Sequence, residues 1–540
     1  MKARGDIVAA VVLGALFFGL YALTVPENHC EADHAFHYAW DVEHAPLHEA
    51  LHQHRLLYVP LAKAVHVGVQ VLNDDVRAYP VMIVLSMVAG AIAIAFIFLT
   101  LRRHLGFSME VSLFSAGLVG SSYGFWRYAC EAEVLVLAAA PLAVAIYILT
   151  SPRINAWGVL AGGIAAALGV FLHILAIIPA LFAFPALLMG RGRRAPLLLY
   201  VLLVIALIIA GYAVANTSPF ADTPDVQSGH GGIRLALQGP SALGNAGLGF
   251  GQAVLSGNYL FCLRPFRDFM QREFAHRMLR EEILIGLQAG TVSATLPLVI
   301  LLLLGLVVIF VVDDRLSPQI ASEDEEGGAP PPHPSAPIRR LVLIAMVLWF
   351  ILHALILLGY EAANPRNWVL LMIPLWIGIV LLWARDPRGI PRQALGTLFV
   401  LLLLHNFFGG IHLLGSEASD YNRTSAQWII EHVRENDLIL TDETPAYCWF
   451  LRYHSPARVL CLSQTDPEYM MQAISDVHEK GGHVLASPDV FRPSGSPQEA
   501  TRAEPKHVRD VRRTLRPMFV PVSHGQHGRG WVFRPEKANQ

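Results

Sequence analysis

The chain has 540 residues, of which 54% are hydrophobic and only 15% charged, and its mean hydropathy is +0.46. Ordinary soluble domains carry about 25% charged residues, and several runs here reach the roughly 18–20 apolar residues needed to cross a bilayer, so a soluble globular protein is excluded. A formal net charge of −2 without a basic stripe leaves no electrostatic footprint for nucleic acid.

In chain order, the first span runs Asp6–Val25 behind Met1-Lys2-Ala3-Arg4. No small-x-small site follows it, which predicts an uncleaved anchor. Residues 26–66 come next and hold eight of the 23 histidines: His29, His34, His37, His44, His48, His52, His54 and His66. Glu27, Glu31, Asp33, Asp41, Glu43 and Glu49 lie among them. Titratable groups packed beside a membrane span are costly to place, so this segment is a functional-site candidate. Residues 56–72 are apolar but follow Arg55 directly and carry Lys63 and His66 inside, with Pro60 breaking the helix. They suit a helix lying at the interface better than a span.

Further spans are predicted at 79–101, 108–124, 131–150, 156–171, 174–190, 196–215, 291–312, 339–359, 367–384 and 393–415, giving about eleven transmembrane helices. Gly162, Gly163, Gly169 and Pro179 fit a tight hairpin within 157–190. With the N-terminus in the cytoplasm, every cytoplasmic segment carries Arg or Lys: Lys2 and Arg4, Arg102 and Arg103, Arg153, Arg191 to Arg194, Arg339 and Arg340, and Arg385 to Arg392. That is the positive-inside pattern. The outer face then holds the loop 26–78, the loop 216–290 and everything after about residue 415. A cytoplasmic linker at 313–338, acidic and then Pro-rich over Ser322–Pro337, reads as disordered.

The last 120 residues change character. Short apolar strands are expected at Leu438–Thr441, Arg458–Leu462, His483–Ala486, Met518–Val522 and Gly530–Phe533. Helices are expected at Ser425–Glu435, Pro445–Tyr453 and Pro467–Lys480. The fold class is therefore a polytopic α-helical membrane domain, 1–415, followed by a small extracytoplasmic α/β domain, 416–540. No Gly-rich phosphate loop follows any strand, which argues against a nucleotide site. Of the five cysteines, Cys448 and Cys461 are the pair best placed for a disulfide.

Several pieces, in order, resemble the GT-C class of integral-membrane glycosyltransferases, and within it the protein O-mannosyltransferase-like group. They are Glu31-Ala32-Asp33 after the first span, His54-Arg55-Leu56-Leu57-Tyr58-Val59-Pro60-Leu61, Phe125-Trp126 with Glu131-Ala132-Glu133-Val134, the hairpin residues Gly169, His173 and Pro179, and Asn364-Pro365-Arg366-Asn367-Trp368. The resemblance covers roughly residues 1–415. One departure is His54-Arg55-Leu56-Leu57, where that group usually has His-Pro-Pro-Gly.

The resemblance implies a sugar taken from a polyprenyl-phosphate carrier and passed to a glycan, protein or lipid acceptor on the outer side of a cell (inner) membrane. It implies an acidic base in the first outer loop: Asp33 first, Glu31 second. Both can also be read as ordinary solvated loop acids. Such chemistry needs a carboxylate within reach of the acceptor proton and cations or histidines to neutralise the leaving phosphate. His34, His37, His54 and Arg55 are substrate-binding candidates from the loop. Arg366, in a short outer loop, is the candidate for the carrier phosphate, because Arg binds phosphate through paired donors. Arg127, Glu131 and Glu133 fit either the wall of the site, with Glu133 favoured by the Trp-x6-Glu match, or a helix-end salt bridge.

Asp41 and Glu43 read as helix-start charges, and Trp368 as an interfacial belt residue. No cofactor is called for. A divalent metal is the alternative use of His44, His48 and His52, which would share one helix face at i, i+4, i+8 spacing but lack a complete ligand set. The rival function is a transporter or flippase with a His-rich collecting loop. Against it, the charges gather at the outer edge rather than at the midplane of the spans. A third reading, a membrane scaffold, leaves the charged candidates with no reason to converge.

Overall fold

The structure, a computed structural model, describes residues 2–29, 34–47, 50–52, 54–189, 194–216, 239–273, 280–316, 336–359, 362–384, 392–442, 445–462, 465–487, 490–491, 506–524 and 528–533. Apolar helices dominate. They begin with α1 (Lys2–Leu23), the amphipathic α2 (Ala35–His44) and α3 (Tyr58–Gln70), α4 (Ala78–Leu99), α5 (Met109–Ser121), α6 (Tyr123–Ala129), α7 (Val134–Thr150) and α8 (Ala156–Leu172). Next come α9 (Phe184–Met189), α10 (Arg194–Asn216), α11 (Gly239–Val254), α12 (Arg264–Glu273), α13 (Arg280–Ser293), α14 (Thr295–Leu316), α15 (Ala336–Gly359), α16 (Met372–Trp383) and α17 (Arg392–Gly409).

Six helical stretches among the described residues are long and apolar enough to cross a membrane: Arg4–Leu23, Ala78–His104, Arg194–Ala215, Pro337–Gly359, Pro365–Trp383 and Arg392–Gly415. Two bent pairs raise the number to eight if each is one span. These are Tyr123–Ala129 with Val134–Thr150, bent by 108°, and Glu282–Gly290 with Thr295–Phe310, bent by 103°. Three apolar helices are shorter: Met109–Ser121, Ala156–Leu172 and Ile174–Met189. The chain is thus an integral, multi-pass membrane protein.

The helices bury one apolar side and leave another apolar side outward. On α1, Ala10, Leu13, Phe17 and Tyr21 are buried at helical spacing, while Val8, Val11, Val12 and Leu16 are exposed. Such an apolar exposed stripe suits lipid contact. At Gly120 a Cβ would stand 2.5 Å from both Phe17 and Ile94, so a side chain there would push α5 off α1 and α4. At one end of the bundle Arg102 pairs with Asp6 at 3.0 Å, and Arg339 donates to the Leu105 carbonyl at 2.7 Å.

The C-terminal region carries α18 (Tyr421–His432), β1 (Leu438–Thr441), α19 (Pro445–His454), β2 (Arg458–Cys461), α20 (Pro467–Glu479), β3 (Val484–Ala486), α21 (Lys506–Leu515), β4 (Phe519–His524) and β5 (Gly528–Phe533). The strands form one sheet in the order β2-β1-β3-β5-β4. β1 pairs parallel with β2 and β3, and β5 pairs antiparallel with β3 and β4. Helix α21 was not expected from sequence. Cys448 and Cys461 are both buried and meet through a thiol hydrogen bond rather than a disulfide.

Three local expectations change. Asp41 and Glu43 lie in the C-terminal half of α2, not at a helix start. His44 closes α2, and His52 lies in an isolated bridge with Arg55, so no helix carries both on one face; His48 lies outside the described residues. Trp368 is 3% exposed and its indole donates to the Ala362 carbonyl at 2.8 Å, an inward anchor rather than a belt residue.

Candidate active site

The site is built around the break between α6 and α7. Cys130–Glu133 leave the helical path at the level of the last turn of α1, where the Trp126 indole donates to Thr24 Oγ1 at 2.9 Å. Non-helical backbone within an apolar bundle must find its hydrogen bonds in protein. Ser86 on α4 supplies two of them, its hydroxyl donating to the Glu133 carbonyl at 3.1 Å and accepting from the Glu133 amide at 3.3 Å. The Glu133 carboxylate caps α7 by accepting from the Val134 amide at 3.2 Å. The bend therefore points two carboxylates, Glu131 and Glu133, into the protein rather than along a helix.

Both are buried, at 0% and 1% exposure, and both are matched by arginine. Arg127, itself 0% exposed, donates to Glu131 Oε2 at 3.0 Å and to the Asn28 carbonyl at 3.1 Å. His29 Nδ1 lies 2.9 Å from the same carboxylate, and the Tyr79 hydroxyl donates to its other oxygen. Arg366 binds Glu133 Oε1 at 3.1 Å, its loop fixed by the Asn364 side chain, which accepts from the Arg366 amide at 3.1 Å. Unmatched charges in such surroundings would be far more costly than these pairs. The salt bridge expected for Arg127 is present, and it stands in one cluster with Arg366.

The first loop enters the cluster from two sides. Glu27 and Asn28 amides both donate to the Leu414 carbonyl at 3.0 Å, the Asn28 side chain donates to Ser419 Oγ at 2.8 Å, and the His29 amide donates to Asp420 Oδ2 at 2.9 Å. Beyond, His34 opens α2. Burial pushes its imidazole down to about 2, and the charges of Arg366 and Arg55 act in the same direction, so His34 is neutral at any physiological pH. Asp41 receives His37 and His52 on one oxygen, at 3.3 and 3.0 Å. Arg55 lies over the Tyr38 ring, 4.5 Å from its centroid. Burial raises the Tyr58 phenol well above its usual range, with Glu133 adding to the rise and Arg55 opposing it.

Of the sequence candidates, the structure draws Arg127, Glu131, Glu133, Arg366, Arg55 and His34 into one neighbourhood. His54 is exposed, and its carbonyl accepts from the Ile174 amide at 3.1 Å. Asp33 and Glu31 lie outside the described residues. His173 caps the helix that follows it by accepting from the Leu175 amide at 3.2 Å. Among the described residues, no three His, Cys, Asp or Glu side chains are grouped to hold a metal ion. Sequence reasoning assigned no role to Asn28, Tyr79, Ser86 or Asp420, and named His29 only as one of the loop histidines. They are polar or aromatic residues without a motif, and Asp420 joins the loop from 391 positions away.

No family model matches the chain, and no curated protein matches it. Among solved structures it is similar to the crystal structure of ArnT from Cupriavidus metallidurans bound to undecaprenyl phosphate, at 12% identity and a TM-score of 0.49 over 97% of each chain. It is also similar to the same protein in the apo state, at 13% identity and a TM-score of 0.47 over 98% of each chain. At these scores the likeness assigns no function.

Proposed function

We propose that the chain is a GT-C-type glycosyltransferase, in motif order like the protein O-mannosyltransferase-like group. It moves a sugar from a polyprenyl-phosphate carrier to an acceptor hydroxyl or amine on a glycan, protein or lipid. The observation that carries this reading is the charge-matched cluster Arg127–Glu131 and Glu133–Arg366, buried at one end of an apolar bundle, with Arg55 and His34 beside it. A lipid-linked phosphate needs that combination: apolar surface for the tail and cations where the tail ends. Asp33, joined by a peptide bond to His34, is the general base, with Glu31 as the second choice. The base takes the acceptor proton as the acceptor oxygen or nitrogen bonds to the anomeric carbon. The bond from that carbon to the phosphate oxygen breaks, and its electron pair leaves with the carrier phosphate. Arg366 and Arg55 offset the charge that develops there, while Arg127, fully buried, holds Glu131 in the wall.

In this reading the three shorter apolar helices also cross, giving eleven spans. The N-terminus faces the cytoplasm of a cell (inner) membrane, and residues 416–540 form an extracytoplasmic domain. The clustering of Arg102, Arg103 and Arg339 at the end of the bundle opposite the site supports that orientation. Transport is the weaker alternative. The break at Cys130–Glu133 is level with the end of α1 rather than halfway along it, and both its carboxylates are already neutralised.

The test compares wild type with Asp33→Asn, at matched expression, for transfer from a panel of polyprenyl-phosphate sugars. A base contributes about 10²- to 10⁴-fold, and a loss of that size is expected. Unchanged transfer removes Asp33 as the base, and no transfer by wild type removes the reading.

A further inference from the structure

Helix α19 of the C-terminal region lies against α2, and its contacts are concentrated on the first turns after His34. The Trp449 indole stacks on the His37 ring, with centroids 4.0 Å apart and planes 14° apart. Arg452 lies over the same indole at 4.5 Å. Phe36 is a knob in an aromatic socket: Tyr79 stacks on it at 4.5 Å, Phe450 meets it edge-on at 5.1 Å, His454 at 5.2 Å and Tyr453 at 5.6 Å.

Polar contacts fix the register of this packing. The Tyr453 hydroxyl donates to Glu43 Oε1 at 3.2 Å and accepts from the Tyr79 amide at 3.1 Å. Arg77 donates to Glu43 at 2.9 Å and to the Tyr453 carbonyl at 2.9 Å, with its guanidinium 4.0 Å from the Tyr453 ring. At the far end of α2, Lys63 donates to the Val42 and Ala45 carbonyls at 2.8 and 2.7 Å. Tyr79, held by α19 through its backbone, gives its hydroxyl to Glu131. One helix of the C-terminal region thus braces both the helix that follows Asp33 and a residue bound to the buried cluster.

We infer that α19 is a clamp on α2, with Trp449, Phe450 and Tyr453 acting as positioning residues for the base carried just ahead of that helix. The inference rests on the transferase reading above. It makes the C-terminal region part of the catalytic unit rather than an appendage that only binds acceptor. The clamp acts on orientation, not on donor binding. A displacement of about 1 Å between reacting groups can cost about 10²-fold in rate, so loosening α2 should fall on kcat.

The experiment uses the full chain with Trp449→Ala, Tyr453→Phe and, as the conservative control, Trp449→Phe. Three quantities are read: kcat and donor KM for transfer, and hydrogen–deuterium exchange of the α2 amides. Expected for Trp449→Ala are faster exchange over residues 35–44 and a kcat lowered about tenfold or more at unchanged donor KM. Trp449→Phe, which keeps a ring on His37, should restore most of the loss, and Tyr453→Phe should fall between. Unchanged kcat in Trp449→Ala, whatever its exchange, overturns the inference, as does a loss carried entirely by KM. Wild type that transfers no sugar overturns the transferase reading and the clamp with it. Wild type that transfers while the variants keep their kcat overturns the clamp alone.

Discussion

Glu131 receives Arg127, His29 and Tyr79 and is fully buried, so its charge is counted on by three partners. Breaking a buried pair leaves the other charge stranded, at about 3–5 kcal/mol. Glu131→Gln should therefore lower the unfolding midpoint of the detergent-solubilised protein strongly. Glu131→Gln with Arg127→Met should lower it less than the two single changes added together, which a double-mutant cycle reads directly. Tyr58 is the opposite case. Its hydroxyl is buried and has no hydrogen-bond partner among the described residues. Tyr58→Phe should therefore be neutral or raise stability by up to about 1 kcal/mol, and a clear loss of stability would contradict that. The i, i+4 pair of Arg127 and Glu131 was legible in the sequence because one helix-like spacing contains it. The pairing of Glu133 with Arg366, and of His29 with both Glu131 and Asp420, was not. Nothing local to any of these residues names a partner a hundred or more positions away.

Among the elements, α19 also carries the group through which acidity reaches the clamp. His454 packs against Phe36, Phe450 and Tyr453. Burial, then the charges of Arg77, His29 and Arg423, lower its imidazole from 6.5 to about 4. A released His454 takes up a proton at higher pH than a docked one. Docking is thus fully favoured above about pH 6.5 and is progressively lost as pH falls toward 4. The protection of the α2 and α19 amides, measured relative to their intrinsic exchange rate at each pH, should fall between pH 7 and pH 5, and His454→Phe should flatten that dependence. The strands and helices of this region were legible because short β-branched and leucine-rich runs alternate with turn residues. Helix α21 was not. Its sequence, KHVRDVRRTL, offers only Val508, Val511 and Leu515 as an apolar stripe among charges, too thin to stand out from a polar stretch.

For the molecule as a whole, the long apolar runs made the membrane class legible, whereas the sharp bends within two apolar helix pairs were not. A carboxylate flanked by apolar residues reads as the end of a span whether the chain stops or bends there. Orientation is open to a direct test. In a cysteine-free background, a cysteine at Gly106 should react with an impermeant thiol reagent only after the membrane is permeabilised. One at Glu468, on α20, should react in intact cells, and the reverse pattern would invert the topology. The Glu133–Arg366 pair, 233 residues apart in the chain, has a consequence for biosynthesis. A ribosome delivers the bent α6–α7 segment long before it delivers the arginine that neutralises it. Glu133 must wait in or beside the insertion machinery, protonated or solvated, until the segment Pro365–Trp383 arrives. The buried cluster then closes as a late step of assembly, so a nascent chain completes this charged end of the bundle only when nearly all of its membrane segments have been made.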